Sequence, residues 1–115
     1  MVTAENLYST DIRQNLHAVK ARIDEAARVA GRGPGSVALV AISKTHGADR
    51  IADAINAGHR LFGENRVQES EEKWPALLER APDVRVHLVG PLQSNKVKRA
   101  VQLFHGIQTL DRQKL

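Results

Sequence analysis

The chain has 115 residues, with 17 Lys+Arg against 13 Asp+Glu and no cysteine. That length suits one domain, and 42% hydrophobic with 26% charged residues is the balance of a globular protein, not a disordered one. The missing cysteines exclude a disulfide scaffold, a Cys-ligated zinc site, an iron–sulfur cluster and a thiol nucleophile. The net charge of +4 suits an anionic partner without saying which one.

The first predicted element is a long amphipathic helix. Ile12, Leu16, Val19, Ile23, Ala26 and Ala30 recur at helical spacing and form its apolar face. Gly31-Arg32-Gly33-Pro34-Gly35 ends it. Before it, Met1 to Asn6 shows no basic region followed by an apolar one. The longest apolar run, Val37 to Ile42, is far short of the roughly 20 residues that span a bilayer. A cytoplasmic protein without a membrane segment is expected.

Val37 to Ile42 lacks polar alternation, which predicts a parallel strand buried on both faces. A short helix follows from about Ala48 to Asn56, with Gly58 as its stop. A strand over Arg60 to Phe62 leads into Gly63-Glu64-Asn65 and a third helix toward Arg80, which Pro75 is expected to break or kink. Val84 to Val89 is the third strand. Ser94 is placed as the N-cap of a fourth helix through about Leu103, with Val97, Ala100, Val101 and Phe104 inward. Gly106 to Leu110 is the fourth strand. Alternating strands and helices indicate an α/β fold with a parallel sheet and right-handed crossovers. An open doubly wound sheet and part of a (β/α)₈ barrel both fit.

Lys44 follows the end of a buried strand, where α/β proteins place their sites. Desolvation there would favour the free amine, which condenses with aldehydes. A lysine that merely ends a strand in solvent is the plain alternative. Asn65 either binds a ligand or caps a helix, and Glu64 is either a general base or a helix-dipole partner. His87 sits among apolar neighbours and reads as a core or supporting group. His17, His46, His59 and His105 are too scattered for a metal site. Gln93-Ser94-Asn95-Lys96 opens a helix and could hold an anion, although neither a P-loop nor a GxGxxG pattern is present. Lys96, Lys98 and Arg99 read as a solvated basic face, and without an aromatic platform nucleic-acid binding is a minor alternative.

Leu39-Val40-Ala41-Ile42-Ser43-Lys44-Thr45 resembles the first-strand signature of the YggS/PROSC family of pyridoxal phosphate (PLP) homeostasis proteins. The helix pattern Asn15-Leu16, Val19, Ile23 also matches, as do Ala57-Gly58, Arg60, Phe62-Gly63-Glu64-Asn65, Val67-Gln68-Glu69. So do His87-Leu88-Val89-Gly90-Pro91-Leu92-Gln93-Ser94-Asn95-Lys96 and Thr109-Leu110-Asp111-Arg112. The resemblance implies the alanine-racemase-like (β/α)₈ barrel of PLP fold type III, preceded by a helix. It implies that Lys44 holds pyridoxal 5′-phosphate as an internal aldimine, with Asn65, His87, Ser94 and Asn95 lining the same barrel end. Position 66 is Arg where the family more often has Tyr.

The implied role is to bind and sequester PLP and to influence vitamin B6 and amino-acid balance, without robust turnover. A PLP-dependent racemase is the enzymatic alternative. It needs a second base, which in the racemases is a tyrosine from another domain, whereas the only tyrosine here is Tyr8. A full barrel takes about 250 residues, so residues 1–115 read as one incomplete barrel domain with about four of its eight strands. The phosphate-holding loops of the family belong to the other half. Open strand edges and an uncovered apolar interior predict self-association.

Overall fold

The computed structural model describes residues 4–43 and 46–109, with side chains from residue 12 onward. Lys44, Thr45, Leu110, Asp111 and Arg112 lie outside the described residues, as does the side chain of Tyr8. The elements in chain order are α1 (Ala4–Val29), β1 (Ala41–Ile42), α2 (Ala48–Asn56), β2 (Leu61–Glu64), α3 (Val67–Arg80), β3 (Arg85–Leu88), a 3₁₀ turn (Ser94–Lys96), α4 (Val97–Leu103) and β4 (Gly106–Ile107). The strands form one sheet in the order β1-β2-β3-β4, with every pair parallel. Each strand lies beside its sequence neighbour, so the order contains no reversal of the kind that marks a doubly wound sheet.

Two helix ends follow directly from glycine. Gly31 and Gly58 have φ of 75° and 97°, which only glycine adopts without strain. After α2, the Gly58 N–H donates to Ile55 O and the His59 N–H to Ala54 O. After α1, the Gly31 N–H donates to Arg28 O and the Arg32 N–H to Ala27 O. Both ends are Schellman motifs, in which a left-handed residue lets two orphan carbonyls find donors.

The register sorts side chains onto two faces. Phe62 pairs with Val86 and Glu64 with Leu88, and all four side chains are buried. Phe62, Val86 and Leu88 join Ile51 and Ala54 of α2, Val67, Trp74 and Leu77 of α3, and Ala100 and Phe104 beside α4 in one core cluster. The Trp74 ring lies 5.2 Å from Phe62, whose edge also meets His59. The other row, Ile42, Gly63, His87 and Gly106, contributes nothing to that cluster. Ile42 is 47% exposed.

Several expectations need correcting. The strand predicted over Val37 to Ile42 shrinks to Ala41–Ile42, and Val37 is exposed. Among the described residues β1 pairs only with β2, which begins at Leu61, so residues further upstream have no ladder there to join. With Ile42 exposed, β1 is not buried on both faces. Pro75 does not break α3, because the buried Trp74 and Leu77 hold the helix on either side of it. Ser94 is not a helix N-cap: it starts the 3₁₀ turn, and Lys96 occupies the cap position of α4 without a side-chain bond. Ala100 and Phe104 point inward, while Val101 is 64% exposed. Among the described side chains of α1, Ala27 is buried, while Val19, Ala26 and the following Ala30 are exposed.

Candidate functional site

Parallel strands bring their carboxyl ends to one edge of the sheet, where α/β folds collect their functional residues. Here that edge carries Ser43 after β1, Glu64 and Asn65 at the end of β2, Val89 and Gly90 after β3, and Gln108 after β4. Ladder bonds continue one residue past the strands. The Ser43 N–H donates to Gly63 O, the Val89 N–H to Glu64 O and the Gln108 N–H to Leu88 O, at 2.8–2.9 Å.

Glu64 is the centre of this edge. Its side chain is fully buried. Oε2 accepts from Trp74 Nε1 at 2.9 Å and from Ser43 Oγ, and it pairs with Lys73 Nζ at 3.0 Å. Oε1 has no hydrogen-bond partner among the described residues. A buried carboxylate is tolerated only with such donors. Glu64 is therefore neither an exposed general base nor a helix-dipole partner: it ties β1, β2 and α3 together.

Lys73 is nearly buried and reaches back from α3 to the end of β1. Its ammonium meets Ser43 O at 2.8 Å, His46 O at 3.0 Å and Glu69 Oε1 at 3.1 Å, besides Glu64. Ser43 O also accepts the His46 N–H at 3.2 Å, a bond that spans the two residues Lys44 and Thr45. Sequence reasoning missed Ser43, Lys73 and Trp74. The faint signal was an acidic residue at a strand end facing a helix that carries Lys and Trp at adjacent positions.

The predicted site residues fall in different settings. Asn65 is half-buried directly after β2, and its backbone crowds Gly90: a Cβ at position 90 would stand 2.5 Å from Asn65 O. His87 lies in β3 on the sheet face that stays out of the core, with its ring over Gly106 of β4, where a Cβ would come within 2.9 Å of the ring. His87 Nδ1 is buried with no hydrogen-bond partner among the described residues. Ser94 and Asn95 are exposed in the 3₁₀ turn. A cleft of about 360 Å³ joins Asn65, Arg66 and Gln68 to Pro91, Gln93 and Lys96, so it touches Asn65 but neither Ser94 nor Asn95. A more apolar cleft of about 310 Å³ runs from Ile12 and Leu16 of α1 past Ile42 and Ser43 to His46 and Arg50.

Charge near the site is largely paired. Arg99 pairs with Glu71 and joins α4 to α3, and the carboxylate raises the guanidinium's pKa. Of the cluster Lys96, Lys98 and Arg99, Arg99 is thus committed to an ion pair. Burial lowers the pKa of His59, with Lys20 and Arg60 adding to the effect, and the ring bonds Leu61 O at 2.6 Å. Burial likewise lowers that of His105, whose Nδ1 accepts from the Val86 N–H. Among the described residues no group of His, Asp and Glu has metal-site geometry, and no helix is long and apolar enough to cross a membrane.

This is a sequentially ordered parallel α/β sheet with a polar carboxyl edge, and its relatives place it more closely. No protein-family model matches the chain. It is 41% identical over 106 residues to the pyridoxal phosphate homeostasis protein of Vibrio cholerae, covering 90% of this chain and 45% of that one. It is 44% identical over 103 residues to the protein of the same name in Escherichia coli, with 89% and 44% covered. Among solved structures it resembles an unknown protein from Bifidobacterium adolescentis, with a TM-score of 0.85 and 33% identity over 96% of this chain and 48% of that one. It also resembles PipY of Synechococcus elongatus solved with PLP bound, with a TM-score of 0.65 and 46% identity over 76% of this chain and 41% of that one. The chain is a homologue of the pyridoxal phosphate homeostasis proteins and spans about half the length of the curated relatives it matches.

Proposed function

We propose that this chain forms the lysine-bearing half of a cytoplasmic PLP-binding protein that serves PLP and amino-acid homeostasis. The observation that carries this reading is the likeness to PipY, whose structure holds PLP and which is 46% identical over three-quarters of this chain. In this reading residues 1–115 are one incomplete domain, and the four strands are half of a (β/α)₈ barrel. The sequential parallel order of β1 to β4 supports this, since a barrel is such a sheet closed on itself.

The carboxyl edge fits the cofactor. It offers the amide of Asn65 and an imidazole with an orphaned nitrogen at His87, and Lys44 follows β1 in the sequence. The hydroxyl of Ser94 and the amide of Asn95 stand on the exposed turn beyond β3. Bound PLP supplies an aldehyde, and Lys44 holds it as an internal aldimine with release of water. In this reading Asn65 and His87 would orient the ring, with Ser94 and Asn95 lining the same end of the barrel. The uncovered sheet face and the open edges of β1 and β4 make the isolated chain self-associate.

Mixing the protein with PLP, reducing with borohydride and mapping the modified peptide tests the reading. Label on Lys44, lost in Lys44→Ala, is expected. Equal labelling of Lys44→Ala would sink it.

A further inference from the structure

Only Asn65 and Arg66 separate β2 from α3. One face of α3 holds this link on both sides of Asn65. Ser70 and Trp74 lie four residues apart, so they stack on the same side of the helix, and both are fully buried. Trp74 Nε1 donates to Glu64 Oε2 at 2.9 Å, just before Asn65. Ser70 donates twice to Arg66 O, just after Asn65, through its N–H at 3.2 Å and its Oγ at 2.7 Å. Arg66 is the cap residue of α3, so these bonds tie down the link itself. On the sheet side, Glu64 O accepts the Val89 N–H at 2.9 Å, and the Asn65 backbone lies against the buried Gly90.

The geometry points to Ser70 and Trp74 as positioning residues for Asn65: one turn of α3 fixes the residue before it and the residue after it, and so sets where Asn65 stands at the carboxyl edge. Trp74 acts through the Glu64 carboxylate and Ser70 through the Arg66 carbonyl. Gly90 supplies the opposing wall, because its bare Cα lets the Asn65 backbone come close. Presentation matters because a binding group already held in place loses less freedom on binding than one that must first be ordered. The proposal rests on the reading of Asn65 as a cofactor contact.

The test is a double-mutant cycle on the full chain, read by equilibrium dialysis against PLP. Trp74→Phe removes the indole N–H and keeps an aromatic ring. Ser70→Ala removes only a hydroxyl and serves alone should Trp74→Phe not fold. Each is made in the parent and in Asn65→Ala, with circular dichroism to confirm folding. The expected result in the parent is about tenfold weaker PLP binding for Trp74→Phe and a smaller loss for Ser70→Ala. Neither should add to the loss that Asn65→Ala brings by itself. Equal losses in both backgrounds overturn the proposal, because a purely structural role does not depend on the side chain at position 65. The side-chain amide resonances of Asn65 give a second readout that needs no cofactor. Both substitutions should shift them, and parental positions in the folded variants overturn the proposal. If Asn65→Ala binds PLP as the parent does, or the parent binds none, the cofactor reading of Asn65 fails, and the resonances decide the positioning role.

Discussion

The carbonyl of Asn65 lies where a side chain at position 90 would begin: a Cβ on Gly90 would stand 2.5 Å from the Asn65 oxygen and 2.7 Å from its Cα. The loops after β2 and β3 therefore touch through backbone. Backbone cannot swing aside as a flexible side chain can. Gly90→Ala should cost about 2 kcal/mol or more, as overpacking of a close contact does. Chemical denaturation measures it. Unchanged stability would mean that the two loops can separate freely.

Trp74 donates to a carboxylate that is wholly buried. Trp74→Phe keeps most of the ring but removes the N–H. The expected loss is about 2 kcal/mol, in the range for a hydrogen bond to a charged group. A thermal melt of the two proteins checks it. A melting point equal to the parent's would show that Ser43 and Lys73 alone satisfy Glu64.

His59 is buried, and its pKa lies below the usual 6.5. A base with a depressed folded pKa is held neutral by folding, while the unfolded chain binds the proton more readily. Its stabilisation is complete above pH 6.5 and is lost as the pH falls below that and through the folded value. His105 is shifted the same way. Stability should decline as the pH falls below 6.5, more steeply than in His59→Gln. Parallel pH profiles for the two proteins would rule out a role for His59.

Ile42 is 47% exposed on the face left out of the core. Replacing it with a charged residue costs the fold little but makes that face a poor partner for a second apolar surface. Ile42→Lys in the isolated chain should shift light scattering toward monomer, with helical circular dichroism unchanged. Identical scattering from both proteins would show that association, if any, uses another surface.

Much of the architecture was legible in the sequence, because its signals are local. The glycines at 31 and 58 and the alternation of strands and helices depend on neighbours a few residues away. What was not legible depends on partners far along the chain. The length of β1 is set by where β2 starts, and Ser43 lies 21 residues from the glutamate it bonds. Val101 shares helical spacing with Val97, Ala100 and Phe104, yet only those three meet the core, while Val101 is exposed. Asn65 and His87 could be singled out from motif position, but the Gly90 and Gly106 contacts that seat them belong to the next strand over.

Lys73 reaches the end of β1 from α3, and its enclosure there sets it apart from an exposed lysine in its behaviour toward electrophiles. An ammonium enclosed by two carboxylates and two carbonyls offers no lone pair to an incoming carbonyl carbon. Acylating or aldehyde reagents should therefore pass Lys73 by while the fold is intact and modify it only once α3 comes away from β1. This makes Lys73 a chemical reporter of whether the β1–α3 junction is closed.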